Sequence, residues 1–481
     1  MNTLNLLPVL PEILVLAAAC VILLVDVFLP DGKRHVGYWL TQITLLICAW
    51  FTLTTMQEQP VLAFNALVVD DVLSDLLKFF CYLSVSAMLF YSRGYMLARG
   101  LFRGETFVLT LFSLLGMMVM ISAHNFITVY MGLELQALSL YAMVAMHRTS
   151  NAASEAAMKY FVLGALASGM LLYGMSMVYG ATGSLDLDAI ARGVLTGEGN
   201  RTLLLFGLVF IVSGLAFKLG VVPYHMWVPD VYHGAPTPVT LLIGTAPKLA
   251  AFAITLRMLV VALGGLAFDW QGMLMVLSLL SMILGNLIAI AQSNIKRMLA
   301  YSTIANMGFM LLGFVAADPN GFSAAMFYSI AYVLTTVASF GVVLLLSREG
   351  FEADNLDDFR GLNQRSPWWA FIMLLVMFSL AGIPPTVGFY AKFTVFQAVI
   401  QQGFVWLAVV AVMTSLVGAF YYLRIVKLMY FDEPVDTAPL ESRGDTRLVL
   451  SMNGLALLLF GVLPQPLMGL CVIALAYSGF L

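Results

Sequence analysis

About fourteen apolar stretches, each near the twenty residues that carry a helix across a bilayer, follow one another through this chain with only short polar joints. That succession leaves few folds open. Hydrocarbon offers no partner for a free N–H or C=O, so each stretch must close its own backbone hydrogen bonds as a helix. The predicted spans cover residues 8–30, 37–56, 72–92, 105–123, 125–146, 153–180, 201–233, 237–264, 270–293, 297–317, 321–347, 367–402, 403–430 and 446–480. No interval between them is long enough for a separate soluble domain. The expectation is an all-α polytopic membrane protein with a single transmembrane domain, residues 1–481. Composition agrees: 61% of residues are hydrophobic and 10% charged, against roughly 25% charged in a soluble domain. A net charge of −3 excludes a basic nucleic-acid surface. Cys20, Cys48, Cys81 and Cys471 sit in apolar runs without metal-site spacing and read as buried, inert thiols. The first apolar stretch, Val9 to Leu29, has no small-residue cleavage site after it and reads as a retained span.

Basic loop residues set the orientation. Alternate loops carry Lys33 and Arg34; Arg93, Arg99 and Arg103; Arg148; Lys296 and Arg297; Arg348, Arg360 and Arg365; and Arg443 and Arg447. The opposite loops hold little beyond Arg192 and Arg201. The basic side is read as cytoplasmic and both termini as periplasmic, in a bacterial inner membrane, with an organelle membrane left open.

Two spans are interrupted. The seventh contains Gly220 and Pro223 and runs on to Pro236 and Pro238; the twelfth contains Gly382, Pro384, Pro385 and Gly388. Proline removes a donor and clashes with the preceding turn. At membrane depth such backbone survives only inside protein or beside a wet cavity. The breaks lie five spans apart, the pattern of an inverted five-helix repeat over 105–264 and 270–430. The alternative is a pair of ordinary proline kinks.

Within the apolar sequence stand Glu134, Lys159, Lys218, Lys248 and Lys392, with Asp26, Lys78 and Arg257 nearer span ends. A central charge costs about 2.5–3.5 kcal/mol on insertion scales, so five uncompensated ones would cost on the order of 12–17 kcal/mol. They must be hydrated, paired or both. Lysine changes its protonation readily on burial, which arginine does not. Opposite charges about 4 Å apart interact by about 4 kcal/mol at an effective dielectric near 20, and doubling the distance halves this. A small movement of Glu134 relative to Lys218 can thus capture or release a proton, provided the two are close. The alternative is a static ion pair, but one carboxylate cannot neutralise three lysines. Lys159 reads equally as a relay member or as a side chain snorkelling to the surface. His225 and His233, after the first break, read as proton carriers or caps. Asp70, Asp71 and Asp75 are expected to be solvated at a span entrance, and Lys78 and Arg257 to snorkel or pair locally. Tyr301, Ser302, Thr303 and Asn306 make a polar stripe suited to water. No dinucleotide fingerprint, P-loop, metal cluster or haem-attachment pattern occurs, so the chain is expected to carry no cofactor or metal of its own.

The strings GLAFKLGVVPYHMWVPDVYHGAPTPV (214–239), SNIKRMLAYSTIANMGFMLLG (293–313) and SLAGIPPTVGFYAKF (379–393) resemble the antiporter-like membrane subunits of respiratory complex I. That superfamily also includes subunits of multisubunit sodium/proton antiporters and membrane-bound hydrogenases. The resemblance covers nearly the whole chain. It implies that Glu134, in MGLELQALSLY, is the family's fifth-helix glutamate. Lys218 would be the lysine of the broken seventh helix, Lys248 (in TAPKLAAF) that of the eighth, and Lys392 the charged residue of the twelfth. Lysine at that last position marks the family's L and N types rather than its M type. The L type continues into a long lateral helix, and the sequence ends at Leu481, so the N type is expected. Some relatives carry histidine where this chain has Asn306, so a central relay would need water, Lys248 or nearby hydroxyls. The implied activity is proton translocation driven by quinone reduction elsewhere in a hetero-oligomeric complex, with NADH, FMN, iron–sulfur clusters and quinone in partner subunits. Other readings stay open: a subunit of a cation/proton antiporter or hydrogenase, a non-conducting scaffold, and a stand-alone solute transporter.

Overall fold

The computed structural model describes residues 5–30, 33–197, 199–435, 440 and 443–480. Among these, thirteen helices are long and apolar enough to cross a membrane. One further crossing, the twelfth in chain order, is made by two 15-residue helices, Pro367–Ala381 and Val387–Gln401. The first six spans are Leu10–Phe28, His35–Thr55, Val72–Ala98, Gly104–Ile121, Phe126–Val144 and Asn151–Thr182. The seventh is Arg201–Leu219 followed, after a turn, by Trp227–Gly234. The ninth, tenth, eleventh and thirteenth are Ala267–Ile290, Ile295–Ala316, Pro319–Leu346 and Val405–Phe431.

Side chains fix where these helices begin. Asn125, Ser150, Asn200, Asn294 and Asp318 each accept a hydrogen bond from a first-turn N–H, and Asp71 forms a reciprocal capping box with Ser74. A cap oxygen satisfies a donor that the helix itself cannot. Close helix approach rests on small residues. The fourth and fifth spans meet at Gly116 and Gly132, where a Cβ on Gly116 would overlap the Gln136 amide.

Both expected breaks exist and are built alike. The seventh span stops at Gly220 (φ +79°), whose N–H and that of Val221 both donate to the Ala216 carbonyl. The twelfth stops at Gly382 (φ +82°), and the Gly382 and Ile383 N–H groups both donate to Phe378. A left-handed glycine closes a helix end in this way without steric cost. Two interruptions were not expected. The eighth span changes direction at Thr245, between Thr237–Gly244 and Ala246–Thr255, and finishes in a π-helical turn, Leu256–Ala262. The expected single span 446–480 is two helices, Gly444–Val462 and Gln465–Tyr477, parted at Leu463 and Pro464. Pro464 and Pro466 remove N–H donors that a continuous helix would use. A Cβ on Gly461 would overlap the Pro385 carbonyl, so this break sits against that of the twelfth span.

The connections carry small elements of their own. A two-stranded hairpin, Val61–Ala63 with Val68–Asp70, covers the start of the third span. The helix Leu187–Thr196 lies between the sixth and seventh. Two loop pairings match each other. Phe126 N–H donates to Leu185 and Leu187 N–H to His124; Ile295 N–H donates to Asp354 and Leu356 N–H to Ser293. Thus the loop before the fifth span pairs with the loop before the seventh, and the loop before the tenth with that before the twelfth.

The eighth, tenth and eleventh spans are almost wholly buried, whereas the first, second, sixth, ninth and thirteenth turn apolar faces outward. Among the four cysteines, all free, Cys48, Cys81 and Cys471 are buried as expected. Cys20 is exposed, because it lies on the outward face of the first span beside Val21, Leu23 and Leu24.

Candidate functional site

A helix that ends inside a membrane leaves carbonyls without partners. At the seventh-span break, the Lys248 ammonium donates to Leu219 O at 2.9 Å and the Trp227 indole N–H to Phe217 O at 3.1 Å. Lys248 also lies over the Trp227 ring, 5.5 Å from its centroid. At the twelfth-span break, Lys392 donates to Leu380 O at 3.0 Å, Ala381 O at 2.9 Å and Ser415 Oγ at 2.9 Å, over the Phe309 ring. Both lysines are at least 94% buried, Lys248 being 1% and Lys392 6% exposed. Each broken helix thus directs its negative end at a buried cation. The cations come from different places: Lys248 reaches over from the eighth span, Lys392 belongs to the far half of its own.

Lys218 is held differently. Among the described residues no ion pair within 4.0 Å joins it to Glu134, yet the two are close enough for direct attraction. Lys218 lines a cavity of about 20 Å³ together with Ser168, Tyr141, Tyr160 and Trp227. The Ser168 hydroxyl donates to Glu134 Oε1. A space of that size holds about one water, which would link Lys218 to the Ser168–Glu134 pair. Lys248 is next in line, near enough to Lys218 for mutual repulsion.

A buried polar network joins the tenth, eleventh and thirteenth spans. Asn306 accepts from the Tyr328 hydroxyl at 2.7 Å and donates to Ser302 O at 2.8 Å and to the Tyr422 hydroxyl at 3.3 Å. Ser302 and Tyr422 are hydrogen-bonded, and the Tyr332 hydroxyl donates to Thr303 at 2.7 Å. Ser302, Thr303 and Asn306 are therefore bonded to protein hydroxyls in the tenth-span core. Tyr328, Tyr332 and Tyr422 were not singled out from sequence; the i, i+4 spacing of the first two was the available signal. Beyond Lys392, a cavity of about 230 Å³ is lined by Asn320, Ser323, Thr394, Gln397 and Gln401.

The remaining candidates lie off this row. Lys159, on the sixth span, pairs with Asp230 at 2.7 Å and Glu155 at 2.9 Å; its side chain is 43% exposed. Arg297 binds the other Asp230 oxygen at 3.0 Å. His225 is half-buried at the turn of the seventh-span break. His233 ends the Trp227–Gly234 helix. The expectation that Asp71 and Asp75 are solvated is overturned: both are buried. Asp71 caps the third span and binds Arg257 at 2.9 Å, while Lys78 pairs with Glu12 at 2.7 Å. Snorkelling would have carried Lys78 and Arg257 to water; local carboxylates hold them inside instead.

Residues 123–418 match the family described as NADH:quinone oxidoreductase/Mrp antiporter, TM. A protein named NADH-quinone oxidoreductase subunit N from Thiobacillus denitrificans is 62% identical over 98% of both chains. A chain of respiratory complex I from Thermus thermophilus, solved with bound aureothin, is 32% identical. It superposes with a TM-score of 0.82 over 96% of this chain and 99% of its own. A chain of the Mrp complex from a Dietzia species shares the fold at a TM-score of 0.85, 21% identical, over 100% of this chain and 98% of its own.

Proposed function

The chain belongs to the NADH:quinone oxidoreductase/Mrp antiporter membrane family, and from that premise we propose the route by which it moves protons as subunit N of an NADH–quinone oxidoreductase. It is a multi-pass membrane subunit of a hetero-oligomeric translocase and works beside other membrane subunits. NADH oxidation and quinone reduction belong to the complex, with FMN, iron–sulfur clusters and the substrate sites assigned to partner chains.

The observation that carries the route is the series of charged groups at the two broken helices, Glu134 and Lys218 half-buried, Lys248 and Lys392 buried. Glu134 accepts from Ser168, and Ser168 lines the Lys218 cavity. Movement of Glu134 relative to Lys218 changes the attraction that keeps the Lys218 proton bound. A proton released there reaches Lys248, whose charge the Leu219 carbonyl favours. The hydroxyls of Tyr328, Tyr422 and Ser302 carry it past Asn306, which does not titrate near neutral pH. Lys392 receives it and passes it toward the polar cavity at Gln397. Lys159 and His225, which lie off this row, are assigned as further relay members. This scheme treats residues 105–264 and 270–430 as two inverted five-helix repeats, supported by the matching breaks and loop pairings. It also puts the basic loops in the cytoplasm and both termini in the periplasm.

The test is NADH-driven acidification of inverted membrane vesicles carrying Lys218→Met, with NADH oxidation followed in the same preparation. Pumping is expected to fall by about tenfold or more while the complex still assembles. Unchanged pumping and oxidation would remove Lys218 from the route. Transport that depends on sodium and not on NADH would assign the chain to an antiporter assembly instead.

A further inference from the structure

Outside this row, the first, third and eighth spans enclose a second group of buried charges. Asp71, Asp75 and Lys78 follow one another at i, i+4 and i+7, so they share one face of the third span. Glu12 reaches Lys78 from the first span, and Arg257 reaches Asp71 from the π-helical turn that ends the eighth. Lys78 is 1% and Asp75 4% exposed. Asp70 completes the group from the end of the hairpin and is partly open to the outer surface.

Four carboxylates face two permanent or near-permanent cations, an excess of two negative charges if all were ionised. Each cation already has a carboxylate: Arg257 binds both Asp71 oxygens, at 2.9 and 3.1 Å, and Lys78 binds Glu12. The two remaining carboxyls, Asp70 at the end of the hairpin and Asp75 in the first turn of the third span, have no cation of their own among the ion pairs of the described residues. Two further negative charges beside a buried and already neutralised pair of ion pairs repel each other and are poorly solvated, which favours a proton on one of them. Burial raises the Asp70 carboxyl above the ordinary aspartate range, against the pull of Lys78. The other titratable groups facing the cluster are Cys48 of the second span and Tyr82 of the third, whose hydroxyl meets Thr52.

We propose that Asp70 and Asp75 form a proton-binding site that exchanges one proton between the surface bearing the hairpin and the interior of the third and eighth spans. Binding forms one O–H bond on the pair and takes the cluster from two excess negative charges to one; release returns the proton to water at Asp70. The site is poised to communicate with the central row. Cys81, one turn beyond Lys78, touches the Ala246 carbonyl at 3.8 Å, two residues before Lys248 on the eighth span. This role rests on the proton-translocating reading given above.

The experiment compares Asp70→Asn and Asp75→Asn with Lys218→Met in inverted vesicles containing the whole complex, reading protons pumped per NADH oxidised. Both asparagine variants are expected to lower that ratio by about twofold or more, because an amide cannot take up the proton. Infrared difference spectra of the purified complex should lose a protonated-carboxyl C=O band that shifts in D2O. Should Asp75→Asn prevent assembly, Asp70→Asn at the open rim decides alone. An unchanged ratio and an unchanged band in an assembled Asp70→Asn complex would overturn the site, provided Lys218→Met still lowers the ratio. If Lys218→Met is also silent, it is the reading beneath the proposal that has failed.

Discussion

The three central lysines do unequal work. Lys248 and Lys392 hold broken-helix carbonyls, whereas Lys218 faces a cavity and a carboxylate. Substitution should separate these duties. Lys248→Met is expected to lose both pumping and thermal stability, since a hydrogen bond from a charged group contributes about 1.5–3 kcal/mol. Lys218→Met should lose pumping with little change in melting of the purified complex, and equal melting losses in both would contradict the distinction. Tyr328→Phe removes the donor to Asn306 Oδ1 and leaves a buried acceptor unpaired, costing about 1–3 kcal/mol. We expect an assembled complex that melts lower and pumps more slowly, with NADH oxidation and acidification as the readout. The charged residues of the row were legible in the sequence because a charge in an apolar run has no ordinary explanation. Their hydroxyl partners were not, since tyrosine among phenylalanines reads equally as packing. Asp71 and Asp75 were misread for a related reason: proximity to a span end says nothing about a hairpin folded over that end.

Among the elements, the breaks at Gly220 and Gly382 were readable because proline and glycine leave a helix few alternatives. The distortion at Thr245 did carry a signal: Pro247, two residues on, has no N–H and sits in the first turn of the second half-helix. The Leu463–Pro464 break carried a proline signal that the long apolar run overrode. The fourth and fifth spans depend on glycine for their approach, and Gly132 lies two residues from Glu134. Gly116→Val is therefore expected to push the fifth span outward, reducing assembled complex and displacing Glu134; native gels and vesicle acidification would register the two effects. Gly382→Val should be worse for Lys392 than its size implies. It places a branched residue at φ +82°, with a Cβ 2.8 Å from Lys392 Cδ.

At the scale of the whole molecule, the buried charges divide into a central row at the breaks and a side group on the first, third and eighth spans. Orientation is open to direct test. Single cysteines at Lys33 and Arg192, in a background without Cys20, should be labelled by impermeant maleimide from opposite sides of the membrane. The Lys33 site should react in inverted vesicles and the Arg192 site in right-side-out ones; labelling from the same side would refute the assigned topology.

The backbone of Gly461 rests directly on Pro385 and Thr386, where the twelfth span resumes toward Lys392. Backbone cannot yield as a side chain can, so the two kinks mesh like teeth. The helix Gln465–Tyr477 packs against the eleventh and third spans, so through this one backbone contact those spans share a seam with the segment that carries Lys392.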